Sequence, residues 1–314
     1  MSDRQLADAV QRVNEQGGEL TGSGTVLAAL DGLGLAPAVA GALRARVEIS
    51  CAHPAHDLDA SALTEGAAAF GDFDTYGVEG GNDRIAVALA GALDGAVRLS
   101  TPVRGVRWSE LGAEVLTDHG SFAADGVVLA VPASVVDQIA FEPPLPAAKV
   151  TALAGVRYGR AAKLFVGLRS PAPPSATMSV PGRYWCYTQL GPNGSPQQFV
   201  TAFAGTSAAL DQLGVAAGPE RWLDSLARLR PDLELDHDSA FVSTWDQDPW
   251  VRGAYSARSA SSPMDAAELA RPVWRLAFAG EHTAGDWHGL MEGALRSGER
   301  AAADLLRPQR AFRG

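Results

Sequence analysis

Apolar residues recur at helical spacing in the first part of this chain and alternate at strand spacing through its middle. Leu6, Val10 and Val13, followed by Val26, Leu27 and Leu30, each fall on one face of a helix of about 3.6 residues per turn. Gly32 and Gly34 interrupt that pattern. A further helix is predicted from Pro37 through Leu43 and Val47, and Ser61 predicts the N-cap of a shorter one reaching Ala69. The segment Tyr76-Gly-Val-Glu-Gly-Gly-Asn-Asp predicts a strand, a glycine turn and a cap ahead of a helix over Arg84 to Leu93. Short alternating runs at 97–99, 103–108, 113–117 and 121–124 then predict strands, and the continuous apolar run from Gly126 to Val131 predicts a buried central strand.

The Pro-rich step Glu142-Pro-Pro-Leu-Pro predicts an exit from that sheet into a second layer. Residues 161–168, 184–188 and 198–203 are predicted as neighbouring strands separated by loops at 170–175 and 191–196. Helices are expected at 207–213 and 219–229, a strand at 240–245, and a last helix from Leu290 to about Leu306. The expected fold class is α/β of mixed α+β texture. The pattern divides into a helical block (1–75), a sheet-rich portion (76–145), a second sheet with helices (146–250) and a C-terminal portion (251–314).

With 314 residues, 46% of them hydrophobic, the chain has enough apolar surface for one large domain or two interleaved ones. A formal charge of −10 without any Lys/Arg run argues against nucleic acid as a partner. Runs such as Val127-Val-Leu-Ala-Val are too short to span a bilayer, and the first residues lack a signal-peptide pattern, so a cytoplasmic protein without membrane association is expected. Two cysteines, Cys51 and Cys186, support neither a disulfide framework nor a metal site.

A dinucleotide site needs glycines at a strand-to-helix turn, where backbone N–H groups approach the pyrophosphate. Gly22-Ser-Gly-Thr-Val-Leu is the best candidate, and it fails because Leu27 occupies the third glycine position and no buried strand precedes it. Lys163 lies among apolar neighbours in Gly159-Arg-Ala-Ala-Lys-Leu-Phe-Val, where both an exposed lysine on an edge strand and a functional cation fit the pattern. Trp245-Asp-Gln-Asp-Pro-Trp-Val-Arg-Gly-Ala-Tyr-Ser supplies Trp245 and Tyr255, which read either as core aromatics near a turn or as an aromatic face for a cation. The run Phe278-Ala-Gly-Glu-His-Thr-Ala-Gly-Asp-Trp-His-Gly-Leu-Met-Glu-Gly-Ala ends on the start of a helix. A helix N-terminus carries unsatisfied N–H donors and partial positive charge.

That last run resembles the C-terminal flavin-binding signature of the flavin-containing amine oxidase family. The resemblance extends through Gly80-Gly81 with its following helix, Pro102-Val103, Ala124 to Pro132 and Phe141-Glu-Pro-Pro-Leu-Pro. It implies an FAD-linked amine oxidase fold in which part of an FAD-binding domain interleaves with a substrate domain of sheet and helices. By the same resemblance, Val103, Gly280, Glu281, Trp287, Gly289, Leu290, Met291 and Ala294 contact FAD. Lys163 would hold a water against the flavin N5, while Tyr255 and Trp245 shape the active site. Ala254 stands where some relatives carry a flavin-linked cysteine, which implies noncovalent FAD. Leu290 departs from the family pattern, because it occupies the place of the second aromatic around the substrate amine.

The leading expectation is therefore one subunit of an FAD-dependent amine or amino-acid oxidase that produces imine and hydrogen peroxide. A second subunit would carry the Gly-rich dinucleotide-binding segment. A non-catalytic scaffold or regulator, and a related desaturase or porphyrinogen-type oxidase, remain as alternatives.

Overall fold

A computed structural model describes residues 3–20, 24–64 and 77–307. The N-terminal block contains α1 (Asp3–Leu20), α2 (Val26–Gly32) and α3 (Pro37–Cys51). Thr25 caps α2 by accepting the Ala28 N–H at 3.2 Å. Pro37 opens α3, where its missing N–H costs nothing, and Ala52 ends it in the left-handed region at φ 52°. Val13, Val26, Leu43, Val47, Leu58 and Leu63 close into one buried cluster. Ser61 is not the expected cap. Asp59 takes that role for a single 3-10 turn over Ala60–Leu63, its carboxylate accepting the Ser61 N–H at 2.9 Å. The predicted continuation to Ala69 runs past residue 64 and so falls outside the described residues.

The helix predicted near residue 84 forms as α4 (Asp83–Gly91), and none of its residues is buried. Residues 97–99 form no strand; they enter a turn in which Ser100 has φ 53°. Next come β1 (Val103–Trp108), β2 (Ala113–Thr117) and β3 (Gly120–Ala124), an antiparallel meander, and β5 (Ala140–Glu142) pairs with β1 in parallel. Between them lies β4 (Val127–Leu129), which corrects the reading of a central strand. It is cut short by Pro132 at the head of a 3-10 turn, and among the described residues it pairs only with β13 (Leu276–Phe278), in parallel. Val128 is accordingly 39% exposed.

The Pro-rich step leads into α5 (Ala147–Gly155), a helix the pattern did not reveal, and then β6 (Arg157–Tyr158). Strands β7 (Ala161–Leu168), β8 (Ser175–Ser179), β9 (Tyr184–Thr188), β10 (Phe199–Gly205) and β11 (Leu235–Thr244) form an antiparallel sheet in the order β11-β7-β10-β9-β8. β8 occupies sequence just past a predicted loop, and a bulge between Asp236 and Phe241 makes β11 longer than expected. Helices α6 (Ser207–Leu213) and α7 (Glu220–Leu229) cover one face of this sheet. Trp222 and Leu226 of α7 pack there on Leu164, Cys186, Val200 and Ala202. The chain returns through β12 (Ser256–Ala257), which pairs with β6, then α8 (Ala266–Ala270), β13 and α9 (Met291–Leu306).

Lys149 of α5 is fully buried. Its Nζ donates to the carbonyls of Glu268, Leu269 (3.2 Å) and Arg271 (2.7 Å), the unsatisfied end of α8, and lies 4.1 Å from the Phe278 ring centre. Burial lowers its pKa to about 8. Among the described residues no helix is long and apolar enough to cross a membrane.

Candidate active site

The turn between β13 and α9 is held by one carboxylate. Glu281 accepts the Ser256 N–H at 2.9 Å, the Ser256 hydroxyl at 2.6 Å and the Gly289 N–H at 2.5 Å, so it ties β12 to the residues that open α9. With those bonds its side chain clamps the turn. Gly280, at φ 121°, donates its N–H to the Ser297 hydroxyl at 2.9 Å, and Gly289, at φ 73°, turns the chain into extended Leu290. Leu290 provides no side-chain cap, which leaves the first-turn N–H groups of α9 free to meet an acceptor. Met291 begins the helix with its side chain exposed, and the Ala294 N–H closes the first turn on the Leu290 carbonyl at 3.2 Å.

Gly293 permits that turn to fold so tightly. A Cβ there would lie 2.9 Å from the Trp287 carbonyl carbon and 3.0 Å from the Ala284 methyl. Trp287 itself is half-exposed, its ring beneath the Arg296 guanidinium at 4.2 Å. Arg300 fastens the turn from below, donating to the carbonyls of Phe278 (2.6 Å) and Thr283 (2.8 Å). The sequence reading passed over Arg300 although it closes the same signature. Its signal is one helix face: Gly293, Ser297 and Arg300 stand at i, i+4 and i+7, all toward the turn.

Tyr255 lies directly beside this turn, since a Cβ on Gly289 would be 3.8 Å from its ring. Its hydroxyl donates to the Ser50 carbonyl at the end of α3, and burial raises its pKa, so the phenol stays neutral. Two glycines bring α3 this close. A Cβ on Gly159 would stand 2.7 Å from the Ala52 methyl, and one on Gly205 would stand 2.7 Å from the Ile49 carbonyl oxygen. Gly159 also exchanges backbone hydrogen bonds with the Tyr255 segment, through Gly159 N–H to Tyr255 O (2.8 Å) and Ala254 N–H to Gly159 O (2.9 Å). Burial pushes the neighbouring Cys51 thiol up to about 12, which keeps it protonated.

Lys163 stands on the face of the five-stranded sheet opposite α6 and α7. Its strand is interior, flanked by β11 and β10, and its side chain is exposed. The edge-strand reading is thereby excluded. Ser243, Lys163, Phe203, Trp185 and Met178 form one cross-strand row. Trp185 stacks on Phe203 with centroids 5.7 Å apart, and in the next row Phe165 stacks on Phe241 at 5.0 Å. Trp245 lies just past β11, 55% exposed, continuing the alternation that places Phe241 and Ser243 on this face. Phe165, Trp185 and Phe203 went unremarked in the sequence, where their only signal is the period of two. Val103 lies apart from this row: it begins β1 and packs on the cluster around Val106 and Leu129.

An uncapped helix N-terminus, a clamped glycine turn, a neutral tyrosine and an open aromatic face with a lysine thus adjoin along α3. A family model for flavin containing amine oxidoreductases matches residues 25–306. The chain belongs to that family. Polyamine oxidase 4 of Oryza sativa subsp. japonica is 31% identical over 230 residues, covering 70% of this chain and 46% of that protein. The L-amino acid dehydrogenase of Synechocystis sp. is 24% identical over 238 residues, covering 73% and 50%. A putrescine oxidase structure superposes with a TM-score of 0.81 at 23% identity, covering 98% of this chain and 76% of that one, and so shares its mixed α/β fold. The chain spans about half the length of the curated relatives it matches.

FAD is the cofactor of this family, and the residues present fit its flavin end. The α9 N-terminus offers N–H donors without a side-chain cap and partial positive charge, which would suit a flavin ring that gains negative charge on reduction. Ala254 has no thiol for a covalent link. Gly289, just ahead of that helix, has no side chain and room where a Cβ would stand, with no atom nearer than 3.7 Å.

Proposed function

We propose that this chain is the substrate-binding and flavin-ring subunit of an FAD-dependent amine or amino-acid oxidase, completed by a partner polypeptide that carries the dinucleotide-binding unit. The observation that carries the reading is β4. A parallel pair as short as β4–β13 is a fragment of a larger sheet, because parallel sheets are stable when buried on both faces and flanked by further strands. The outer edge of β4 beside Val128 offers its backbone groups to one more strand. α4 supports the same reading: Val87, Leu89 and the following Leu93 are each more than half exposed, an apolar surface that a partner would cover.

When bound, FAD would supply a two-electron acceptor for the hydride on the carbon beside the amine, which would leave an imine for water to hydrolyse, with oxygen taking up the two electrons and two protons as hydrogen peroxide. In this reading Glu281 and Gly293 set the helix N-terminus against the negative end of the ring. The neutral Tyr255 presents an aromatic edge to the amine, and Lys163 holds a water at the sheet face. A cation at that position stabilises the negative charge that develops when oxygen is reduced.

The test is reduction of the flavin in the purified complex under anaerobic conditions by a panel of amines and amino acids. The expected result is bleaching of the oxidised-flavin band, with peroxide formed once oxygen is admitted. Lys163→Met should slow reoxidation on the order of a hundredfold while the visible spectrum persists. Unchanged reduction and reoxidation rates in that variant would remove Lys163 from the chemistry. A flavin that no amine or amino acid reduces would end the oxidase reading.

A further inference from the structure

Arg46 is a half-buried guanidinium with no carboxylate in ion-pair reach among the described residues. Its helical neighbours differ. Arg44 and Arg183 both pair with the buried Glu48, at 3.0 and 2.5 Å, and that carboxylate also accepts the Ala55 N–H. Arg46 points the other way, with its guanidinium 5.0 Å from the Trp185 ring centre and a hydrogen bond to the Ser50 hydroxyl. Ser50 is the residue whose carbonyl accepts the Tyr255 hydroxyl. Arg46 therefore sits between Tyr255, beside the flavin turn, and the row that runs Trp185, Phe203, Lys163. Lys163 is two strands away, roughly 10 Å at the backbone.

Such a placement is costly without a ligand. A half-buried guanidinium whose partners are a hydroxyl and an aromatic ring recovers only part of its lost solvation, and a second cation on the same open face adds repulsion. The aromatic floor alone would suit a simple amine. Two cations without a carboxylate partner among the described residues disfavour a substrate whose only charge is positive and favour one that brings its own carboxylate, which guanidinium binds in a two-pronged geometry.

We infer that Arg46 forms a carboxylate subsite, so that the substrate is an amine bearing a carboxylate, an amino acid, with its apolar part on the Trp185–Phe203 floor. This rests on the oxidase reading above and narrows its substrate class. The specificity of the site then comes from the end of α3.

The test is calorimetric titration of the 314-residue chain with phenylacetate, phenethylamine and inorganic phosphate at neutral pH, repeated for Arg46→Met and Arg46→Lys. Phenylacetate should bind, with phenethylamine at least about tenfold weaker, since charged hydrogen bonds are at stake. Arg46→Met should weaken phenylacetate by about tenfold or more, while Arg46→Lys, which keeps the charge but not the two-pronged donor set, should recover only part of that affinity and so shows that loss in Arg46→Met is not loss of the fold. Amine binding as tight as the acid, phosphate binding equal to phenylacetate, or phenylacetate binding unchanged in Arg46→Met would each overturn the subsite. Flavin content, read by absorbance on the complex, separates the two claims. A complex without flavin whose chain still binds phenylacetate through Arg46 removes the oxidase reading and leaves the subsite, whereas a flavin-loaded complex indifferent to Arg46 removes the subsite alone.

Discussion

Gly293→Ala should abolish flavin capture by the complex while leaving the five-stranded sheet folded. The added methyl would meet the Trp287 carbonyl group, its carbon at 2.9 Å, and the Ala284 methyl at 3.0 Å. Those groups belong to the turn that Glu281 pins to Ser256 and Gly289, so the turn cannot yield without breaking that clamp. Relief therefore comes from moving the first turn of α9, which displaces the N–H donors facing the ring. Overpacking of this kind costs about 1–3 kcal/mol, and here that strain falls on the binding geometry. Absorbance of the purified complex should show less than about a tenth of the wild-type flavin, in line with a loss of about 1.4 kcal/mol or more. Full flavin content in Gly293→Ala would show that this helix start is not where the ring is held.

Lys149→Ala should lower stability by about 3–5 kcal/mol, measured by denaturant unfolding. Removing the side chain empties a fully buried volume, takes their lysine donor from the carbonyls of Leu269 and Arg271 and leaves Glu268 with the Arg271 N–H, and deletions of long buried side chains cost roughly 2–5 kcal/mol even without unsatisfied acceptors. The ammonium is expensive to bury, yet its three donors match three acceptors at a helix C-terminus, where positive charge is favoured. A change below about 1 kcal/mol would mean that water replaces the lysine without strain.

Much of the fold was legible because period and punctuation agree. The helices at 37–51, 207–213, 220–229 and 291–306 and the strands at 103–108, 113–117, 161–168 and 184–188 follow from apolar spacing closed by proline, glycine or threonine. β4 misled for a physical reason: the run Val127-Val-Leu-Ala-Val encodes burial on both faces, and no strand on its outer edge lies among the described residues. Its sequence describes a neighbourhood that a partner would complete. The helix α5 escaped because its apolar residues follow a proline cluster that reads as a loop, and its buried Lys149 looks like a surface residue until α8 is folded against it.

The candidate site's glycines and Lys163, Tyr255 and Glu281 were singled out in the sequence because they lie in short local motifs. Arg46, Trp185 and Phe203 were not, because their meeting depends on strand register and on the approach of α3 over Gly159 and Gly205. Val103 was singled out by its position in a motif, and its side chain packs on the core cluster that also holds Phe278.

The most direct measurement is a flavin titration of the 314-residue chain, alone and with a polypeptide carrying a strand–Gly-rich turn–helix unit, followed by absorbance and by hydrogen exchange at Val127–Leu129. With the unit present, FAD should bind stoichiometrically and the Val128 amide should become protected as its edge is paired. Stoichiometric FAD binding by the chain alone, or a complex that binds FAD while Val128 exchanges as freely as before, would contradict a cofactor site completed across the edge of β4.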